Sequence, residues 1–390
     1  MRIRCVLLLI AIFVTGFASP SNADQQSKTF GVMDDNPVVT AVAQAGFSVI
    51  KKTVWFAPTQ WSWASLDATA RAQLTQDMAD AKASGLSVIL EMYPVIKYGP
   101  PRGATQLRLT CDLAKDLLDQ FPETYAIEFG IEPNSYTFWK PQFNPDGTQA
   151  SAAAYEQWLA KCYDVVKAKH PDVLVIGGSL SSRGEDDYRK PTSGTSPTLF
   201  LQKFCEAYKS SGRNRPVMDW LDMHSYPDPE NQDPSVQHPA PSTTITIADY
   251  DKLDALLGCF NGTAQPKPPI LWGEGGYNTQ IPDSQKQYKG NKPASIRLVS
   301  EATQGQYVAE QIQMAYCQPN SVGYINFHFV DDVDLKRHWQ SGFAYAPGSR
   351  RRVLRGAAVN YTMKQSWPTV RKALDAARSG TMKCGSPGLP

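Results

Sequence analysis

The sequence is short of charge, and this shortage argues against several classes of partner. Charged residues make up 19% of the 390 residues, below the roughly 25% that is usual. The 39 Lys and Arg exceed the 37 Asp and Glu by two, and Arg2 and Arg4 account for the difference. Beyond that start the chain is formally neutral, so we expect it to bind neither nucleic acid nor an anionic membrane.

Sequence motifs of nucleotide, metal and serine chemistry are also missing. No Gly-x-Gly-x-x-Gly follows a predicted strand, and there is no phosphate loop, no Gly-x-Ser-x-Gly elbow and no His-Glu-x-x-His. No Cys-x-x-Cys spacing occurs, which argues against a zinc site. We therefore expect no cofactor and no metal.

One long apolar run is present, at residues 5–17, after a positively charged start and before the small residues 21–23. This order is typical of a secretory signal, and the run is shorter than the roughly 20 residues that a membrane span needs. A membrane anchor is the alternative interpretation. We expect residues 1–23 to be a cleaved signal peptide, and residues 24–390 to be one secreted or periplasmic domain without a membrane partner.

Short apolar, β-rich runs alternate with helical stretches from residue 29 to the end. The predicted strands cover residues 29–33, 48–55, 87–93, 126–131, 173–178, 218–224, 269–273 and 322–329. Strict alternation favours a parallel sheet, and eight strands are the number that closes a (β/α)8 barrel. An open doubly wound sheet is the alternative, weakened by the missing glycine motif.

The predicted loops differ in length at the two ends of the strands. Those that leave strands are long and rich in Pro, Gly, Asn, Asp and Ser, and they cover residues 133–151, 179–197, 225–246, 275–299 and 330–356. In a barrel they would all lie at the C-terminal face, where active sites are built. We therefore predict an α/β fold, a single (β/α)8 TIM barrel with long loops at that face, and a monomer.

Six cysteines remain after the predicted signal, an even count that suggests disulfides in an exported chain. They are Cys111, Cys162, Cys205, Cys259, Cys317 and Cys384. The sequence does not choose among their possible pairings. The simplest expectation joins neighbours in sequence, because consecutive barrel helices touch.

Two glutamates end apolar runs about 140 residues apart. Glu132 closes the run that begins at residue 126 and is followed by Pro133, and Glu274 closes the run that begins at residue 270. On the fourth and seventh strands of a barrel they would face each other across the mouth. Two carboxyl groups about 5–5.5 Å apart suit retaining glycoside hydrolysis, and about 6.5–9.5 Å suits inversion. Alternatively, each glutamate caps a helix or pairs with a lysine.

The Glu-Pro after the fourth strand and the Trp-Gly-Glu-Gly that ends the seventh resemble clan A glycoside hydrolases, the cellulase-like superfamily that includes families 5 and 39. The resemblance implies that Glu132 is the acid/base and Glu274 the nucleophile. The clan's His-x-Tyr matches His224 and Tyr226, and there the tyrosine hydroxyl bonds the nucleophile. A buried structural role for His224 is an equal alternative.

One position departs from the clan's pattern. The residue before the acid/base is usually an Asn that bonds the sugar 2-hydroxyl, and here it is Ile131. Glu128 shares a strand face with Glu132. It is expected either to raise the pKa of the acid/base by repulsion or to be buried with Lys51 or Lys52.

The remaining candidates for substrate binding lie at or after strand ends, and aromatic rings among them suit stacking on sugars. They are Trp55, Glu91, Tyr136, Trp139, Tyr277, Asn326, His328 and Trp339. Packing in the core or in loops is the alternative for each of them.

These observations predict a secreted retaining glycosidase, endo-acting, for the β-linked bonds of a neutral poly- or oligosaccharide. Glu132 is expected to have a raised pKa and Glu274 to be ionised. A carbohydrate-binding pseudoenzyme of the same fold is the main alternative, supported by Ile131. A lyase or transglycosylase of similar fold is another.

Overall fold

A computed structural model describes residues 28–33, 39–288, 297–331, 339–345 and 361–385. Eight parallel strands form a closed barrel in chain order, with the last paired to the first. Strands β1 to β8 are Thr29–Met33, Val49–Phe56, Ser87–Pro94, Ala126–Phe129, Leu174–Leu180, Trp220–His224, Ile270–Gly275 and Ser321–Asn326. Helices α1 to α8 are Val39–Gln44, Ala68–Ser84, Gly103–Gln120, Ser151–Lys169, Pro197–Ser210, Tyr250–Leu257, Glu301–Cys317 and Trp367–Arg378.

The predicted (β/α)8 barrel is thus confirmed, and the open sheet is wrong. The observed strand ends lie within two residues of the predicted ones, except that β8 stops at Asn326, three residues before the predicted end. The predicted signal peptide lies outside the described residues. Among the residues that are described, no helix is long and apolar enough to cross a membrane.

The barrel interior is filled in layers because alternate strand residues point inward. One buried apolar side chain from each strand joins a cluster inside the barrel, which we call the apolar layer: Met33, Val49, Ile89, Ala126, Ile176, Trp220, Leu271 and Ile325. Two residues further along β2, β3, β4 and β6 the inward positions are charged, and they hold Lys51, Glu91, Glu128 and Asp222. We call these four residues the interior charged layer. The outward-facing strand residues form a larger apolar core with the helices.

Three disulfides tie the outer ring together. Cys111–Cys162 joins α3 to α4, Cys205–Cys259 joins α5 to the turn after α6, and Cys317–Cys384 joins the end of α7 to the segment after α8. The expected pairing of sequence neighbours is therefore confirmed. Each bridge links elements that the barrel already places side by side.

Candidate active site

Strand β6 shows how the fold raises a functional side chain to the C-terminal face. Trp220, Asp222 and His224 are alternate residues, so all three point into the barrel. They lie in the apolar layer, in the interior charged layer and at the mouth respectively. His224 is fully buried there.

Glu132 lies three residues beyond β4, in a turn of unusual backbone geometry. Its φ is +37°, a region that costs a residue with a side chain roughly 1–2 kcal/mol. Its amide donates to the Ser179 carbonyl at 2.7 Å, and its carbonyl accepts from the Ser135 amide at 2.8 Å. Gly130 also has a positive φ, and a Cβ there would approach the Trp158 ring at 3.1 Å. The turn is thus held on both sides and aims the Glu132 side chain at the mouth.

Glu274 lies within β7, directly opposite His224 in the parallel register. The neighbouring glycine at 273 is required by packing, because a Cβ there would lie 2.1 Å from a carboxylate oxygen of Asp222. The Tyr226 hydroxyl donates to Oε1 of Glu274 at 2.8 Å. Burial raises the pKa of Glu274, whereas the charges of His224 and Lys51 lower it.

His224 joins the two carboxylates through its two ring nitrogens. Nδ1 lies 3.0 Å from Oε1 of Glu132, and Nε2 lies 3.7 Å from Oε2 of Glu274. Nε2 also contacts the Ser179 hydroxyl at 3.0 Å. Burial lowers the pKa of His224, but the charges of Glu274 and Glu132 raise it more, to about 9. At neutral pH the imidazole is therefore a cation held between two glutamates.

Beneath the mouth, the interior charged layer is organised around Lys51. Its Nζ lies 2.8 Å from Glu128, 2.9 Å from Asp222 and 3.7 Å from Glu91. Burial lowers the pKa of Lys51, but Asp222 and Glu128 raise it to a net value well above its usual range. Burial and the Asp222 charge raise the pKa of Glu128, so Lys51 and Asp222 carry the charges. Burial of Glu128 beside Lys51 is one of its two predicted roles.

The two glutamates open onto a cleft of about 670 Å³ at the C-terminal face. Predicted substrate-binding residues that line it are Trp55, Tyr136, Tyr226, His328 and Trp339. Trp339 lies 5.9 Å from the Tyr226 ring and 4.9 Å from the Phe327 ring, between centroids, which makes an aromatic corner beside Glu274. Trp55 also lines the cleft and packs on Tyr93, their ring centroids 3.9 Å apart. Ile131 also faces the cleft.

Two aromatic predictions are corrected by burial. Trp139 is only 5% exposed and packs against Tyr155 and Trp158 in the outer core. Tyr277 is 1% exposed and its hydroxyl donates to the Gln232 carbonyl. Both rings follow strand ends, but they turn away from the cleft and are not placed to stack on a sugar.

Three polar predictions also lie below or behind the cleft surface. Glu91 belongs to the interior charged layer, where Thr53 donates to it at 3.1 Å and burial raises its pKa to about 7. The Asn326 amide donates to the carbonyls of His328 and Ser341 and so holds a loop. His224 positions the two glutamates and, being fully buried, does not line the cleft.

Several cleft residues were missed by the sequence analysis. They are Thr53, Tyr93, Ile96, Ser181, Ser182, Arg183, Glu230, Asn278 and Phe327, among others. Tyr93 is the penultimate residue of β3, so its position at the C-terminal end of a strand was enough to indicate that it faces the cleft. Arg183 lies in the loop after β5 and pairs with Asp228 and Glu230, and no motif marks that position. In the described ranges, no group of three or more His, Cys, Asp or Glu is arranged to hold a metal.

Comparison with known proteins finds a similar fold but no similar sequence. No protein-family model matches the chain, and no curated protein sequence matches it. Solved structures of similar fold do exist. A family 39 glycoside hydrolase from Bacteroides cellulosilyticus aligns with a TM-score of 0.60 at 14% identity, over 90% of this chain and 64% of that one.

Two further structures extend this likeness. A monomeric β-xylosidase from Caulobacter crescentus aligns with a TM-score of 0.53 at 14% identity, over 88% of this chain and 67% of that one. A family 5 glycoside hydrolase from Streptomyces cattleya, in complex with Manβ1-4GlcNAc, aligns with a TM-score of 0.57 at 15% identity. The alignment covers 90% of this chain and 81% of that one. The chain thus spans only 64% of the length of the Bacteroides cellulosilyticus structure. It shares its (β/α)8 fold with glycoside hydrolases of families 39 and 5.

Proposed function

We propose that the protein is a secreted retaining glycosidase that cleaves β-glycosidic bonds in a neutral poly- or oligosaccharide. Residues 1–23 are its signal peptide, and residues 24–390 form one monomeric catalytic domain. The observation that carries the proposal is the pair of carboxylates from the ends of β4 and β7, both on one cleft and bridged by His224. The three disulfides support export.

In the proposed reaction Glu274 attacks the anomeric carbon, while Glu132 gives its proton to the leaving oxygen. Water then hydrolyses the glycosyl-enzyme, and Glu132 takes the proton back. Oε1 of Glu132 is occupied by His224, so Oε2 carries the transferred proton. Tyr226 fixes Oε1 of Glu274, and Oε2 accepts no hydrogen bond from the described residues.

Two groups of contacts support these roles. Glu274 is proposed to act in its ionised form, and burial alone would raise its pKa. The charges of His224 and Lys51 oppose that effect and favour the ionised nucleophile. The aromatic rings of Trp55 and Trp339 also line the cleft, and such rings can stack on the C–H faces of sugars.

The test is a screen of aryl β-glycosides and neutral polysaccharides with analysis of the products. Hydrolysis is expected for at least one β-linked substrate, and NMR of the first product is expected to show the β-anomer. Formation of the α-anomer would show inversion and would refute the glycosyl-enzyme step. Long intermediate products early in the reaction would support endo action, and release of single sugars would support exo action.

A carbohydrate-binding pseudoenzyme is the second candidate, and Ile131 is the observation that favours it. This apolar side chain faces the cleft immediately before Glu132, so it offers no hydrogen bond to a hydroxyl. Binding of a polysaccharide without any hydrolysis, and with equal affinity in Glu274→Gln, would establish this alternative.

A further inference from the structure

The described residues leave five large apolar side chains exposed, and three of them lie together beside the cleft. Trp55 is 40% exposed at the end of β2, and Ile96 and Tyr98 are 42% and 49% exposed in the short helical turn after β3. The other two are Tyr188 and Val236, which follow β5 and β6. Clustered exposed apolar side chains mark binding surfaces more often than single ones do.

A second cavity of about 240 Å³ lies on the outer side of the same two strand ends. Adjacent strand residues point to opposite sides. Trp55 and Tyr93 therefore line the cleft, and the next residues, Phe56 and Pro94, line the second cavity. The helical turn contributes in the same way, since Ile96 lines the cleft and Tyr98 lines the cavity. The two spaces share one wall, and its rim is the exposed apolar cluster.

The chemistry of the second cavity suits a neutral sugar unit. Trp61 and Tyr98 provide aromatic rings, and Pro58, Pro94, Pro100 and Pro101 provide rigid walls. Arg102 and Gln106 bring N–H donors for hydroxyl groups. Lys97 lies over the Tyr98 ring, with Nζ 4.6 Å from the ring centroid, and holds that ring in place.

We propose that this cavity is a distal subsite for the glycan whose scissile bond lies between Glu132 and Glu274. The chain leaves the cleft over Trp55 and Ile96, and a further sugar unit stacks on Tyr98. This inference rests on the proposed glycosidase function and specifies its substrate as a chain long enough to span both spaces. It predicts that length beyond the cleft contributes to substrate affinity.

The test compares Tyr98→Ala with Tyr188→Ala, a matched control because Tyr188 is 52% exposed and lines neither space. The probes are cello-, xylo- and manno-oligosaccharides of two to six units and the matching aryl glycosides. Tyr98→Ala is expected to lower kcat/KM three- to tenfold on the longest hydrolysed oligosaccharide, mainly through KM. It is expected to leave the aryl glycoside unchanged. Tyr98→Phe and Tyr188→Ala are expected to match the parent.

Binding of the same oligosaccharides to Glu274→Gln, measured by calorimetry, provides a readout without turnover. In Glu274→Gln, the affinity is expected to rise with the length of the oligosaccharide. When Tyr98→Ala is added, the gain in affinity for the longest oligosaccharides is expected to disappear. Hydrolysis with no difference between Tyr98→Ala and the parent at any length would overturn the distal subsite and leave the proposed function standing. Failure of the parent to hydrolyse or bind any probe in the panel would overturn both.

Discussion

Two groups of ionisable side chains lie one above the other in this barrel, and they differ mainly in their access to the cleft. In the interior charged layer, Lys51 is surrounded by three carboxyl groups and all four side chains are fully buried. At the mouth, His224 lies between Glu132 and Glu274, and both carboxylates line the cleft. A cation among carboxylates is therefore not in itself the sign of an active site. Position along the strand separates the fully buried cluster from the pair that lines the cleft.

This difference in access to the cleft also determines which carboxyl groups can exchange protons with a substrate. In the interior layer the charges of Lys51 and Asp222 offset each other at a distance of 2.9 Å, and no reactant reaches them. At the mouth the two carboxylates can exchange protons with a substrate in the cleft. Substitutions in the mouth are thus expected to change activity, and substitutions in the interior layer to change stability.

The largest expected effect is at the mouth. Glu274→Gln replaces the proposed nucleophile but keeps the hydrogen bond from Tyr226, so kcat is expected to fall on the order of 10⁴-fold. The free energy of unfolding should change by less than about 1 kcal/mol, because the amide has the same shape as the carboxylate and keeps the bond from Tyr226. Steady-state kinetics and urea denaturation measure the two quantities. Retention of more than a tenth of the activity would remove Glu274 from the reaction.

The matching change in the interior layer is Lys51→Met. It leaves buried carboxylates without a cation, and breaking such a pair costs about 3–5 kcal/mol of stability. Lys52→Met is the control on the same strand. Lys52 points to the other side of the strand, where its Nζ lies 3.0 Å from Asp77, and this ion pair is slightly more exposed than that of Lys51. Denaturation curves are expected to show the larger loss for Lys51→Met. An equal or smaller loss would contradict the central role of Lys51.

The pH dependence of stability tests the charge on His224. Its pKa is about 9 in the folded protein against an ordinary 6.5, so its contribution is complete below about pH 6.5 and is lost as pH rises through 9. At 1.36 kcal/mol per pKa unit, the loss is about 3 kcal/mol. Glu91 has a pKa of about 7, so its titration occurs at lower pH than that of His224. Denaturation of the parent and of His224→Gln between about pH 6 and 10 should differ in slope; parallel curves would show a neutral imidazole.

The smallest of these effects is expected for Tyr226→Phe. This substitution removes one hydrogen bond to the Glu274 carboxylate, and a bond to a charged group contributes about 1.5–3 kcal/mol. A fall in kcat/KM of roughly 10- to 100-fold follows from that range. The acidic limb of the pH–rate profile should also move to higher pH, because Tyr226 lowers the pKa of Glu274. An unchanged profile would assign the tyrosine to substrate binding alone.

The strand-end rule explains which parts of the site were predictable. A carboxylate or aromatic residue at the C-terminal end of a barrel strand faces the mouth, and this argument found Glu274 and Trp55. Tyr226 was found by the resemblance of its His-x-Tyr to that of clan A. Glu132 was found by the Glu-Pro motif, although β4 ends three residues before it and its positive φ was not foreseen. The disulfides followed from the adjacency of consecutive helices.

The failures have a common physical cause. Beyond a strand end, the direction of a side chain is set by the loop and not by the period of the strand. Trp139 and Tyr277 therefore pack inward, whereas Phe138 and Arg183 reach the cleft, and no sequence pattern distinguishes the two outcomes. Asn326 was misassigned because its amide is used by the neighbouring loop.

The central claim is that Glu274 forms a covalent bond to sugar with the help of Glu132. The most direct measurement uses the 2-deoxy-2-fluoro analogue of the best aryl glycoside from the screen, followed by proteolysis and mass spectrometry. The account predicts one added glycosyl group on the peptide that contains Glu274, and slower labelling in Glu132→Gln. A label on another residue, or no label from an analogue that the enzyme hydrolyses with inversion, would contradict it.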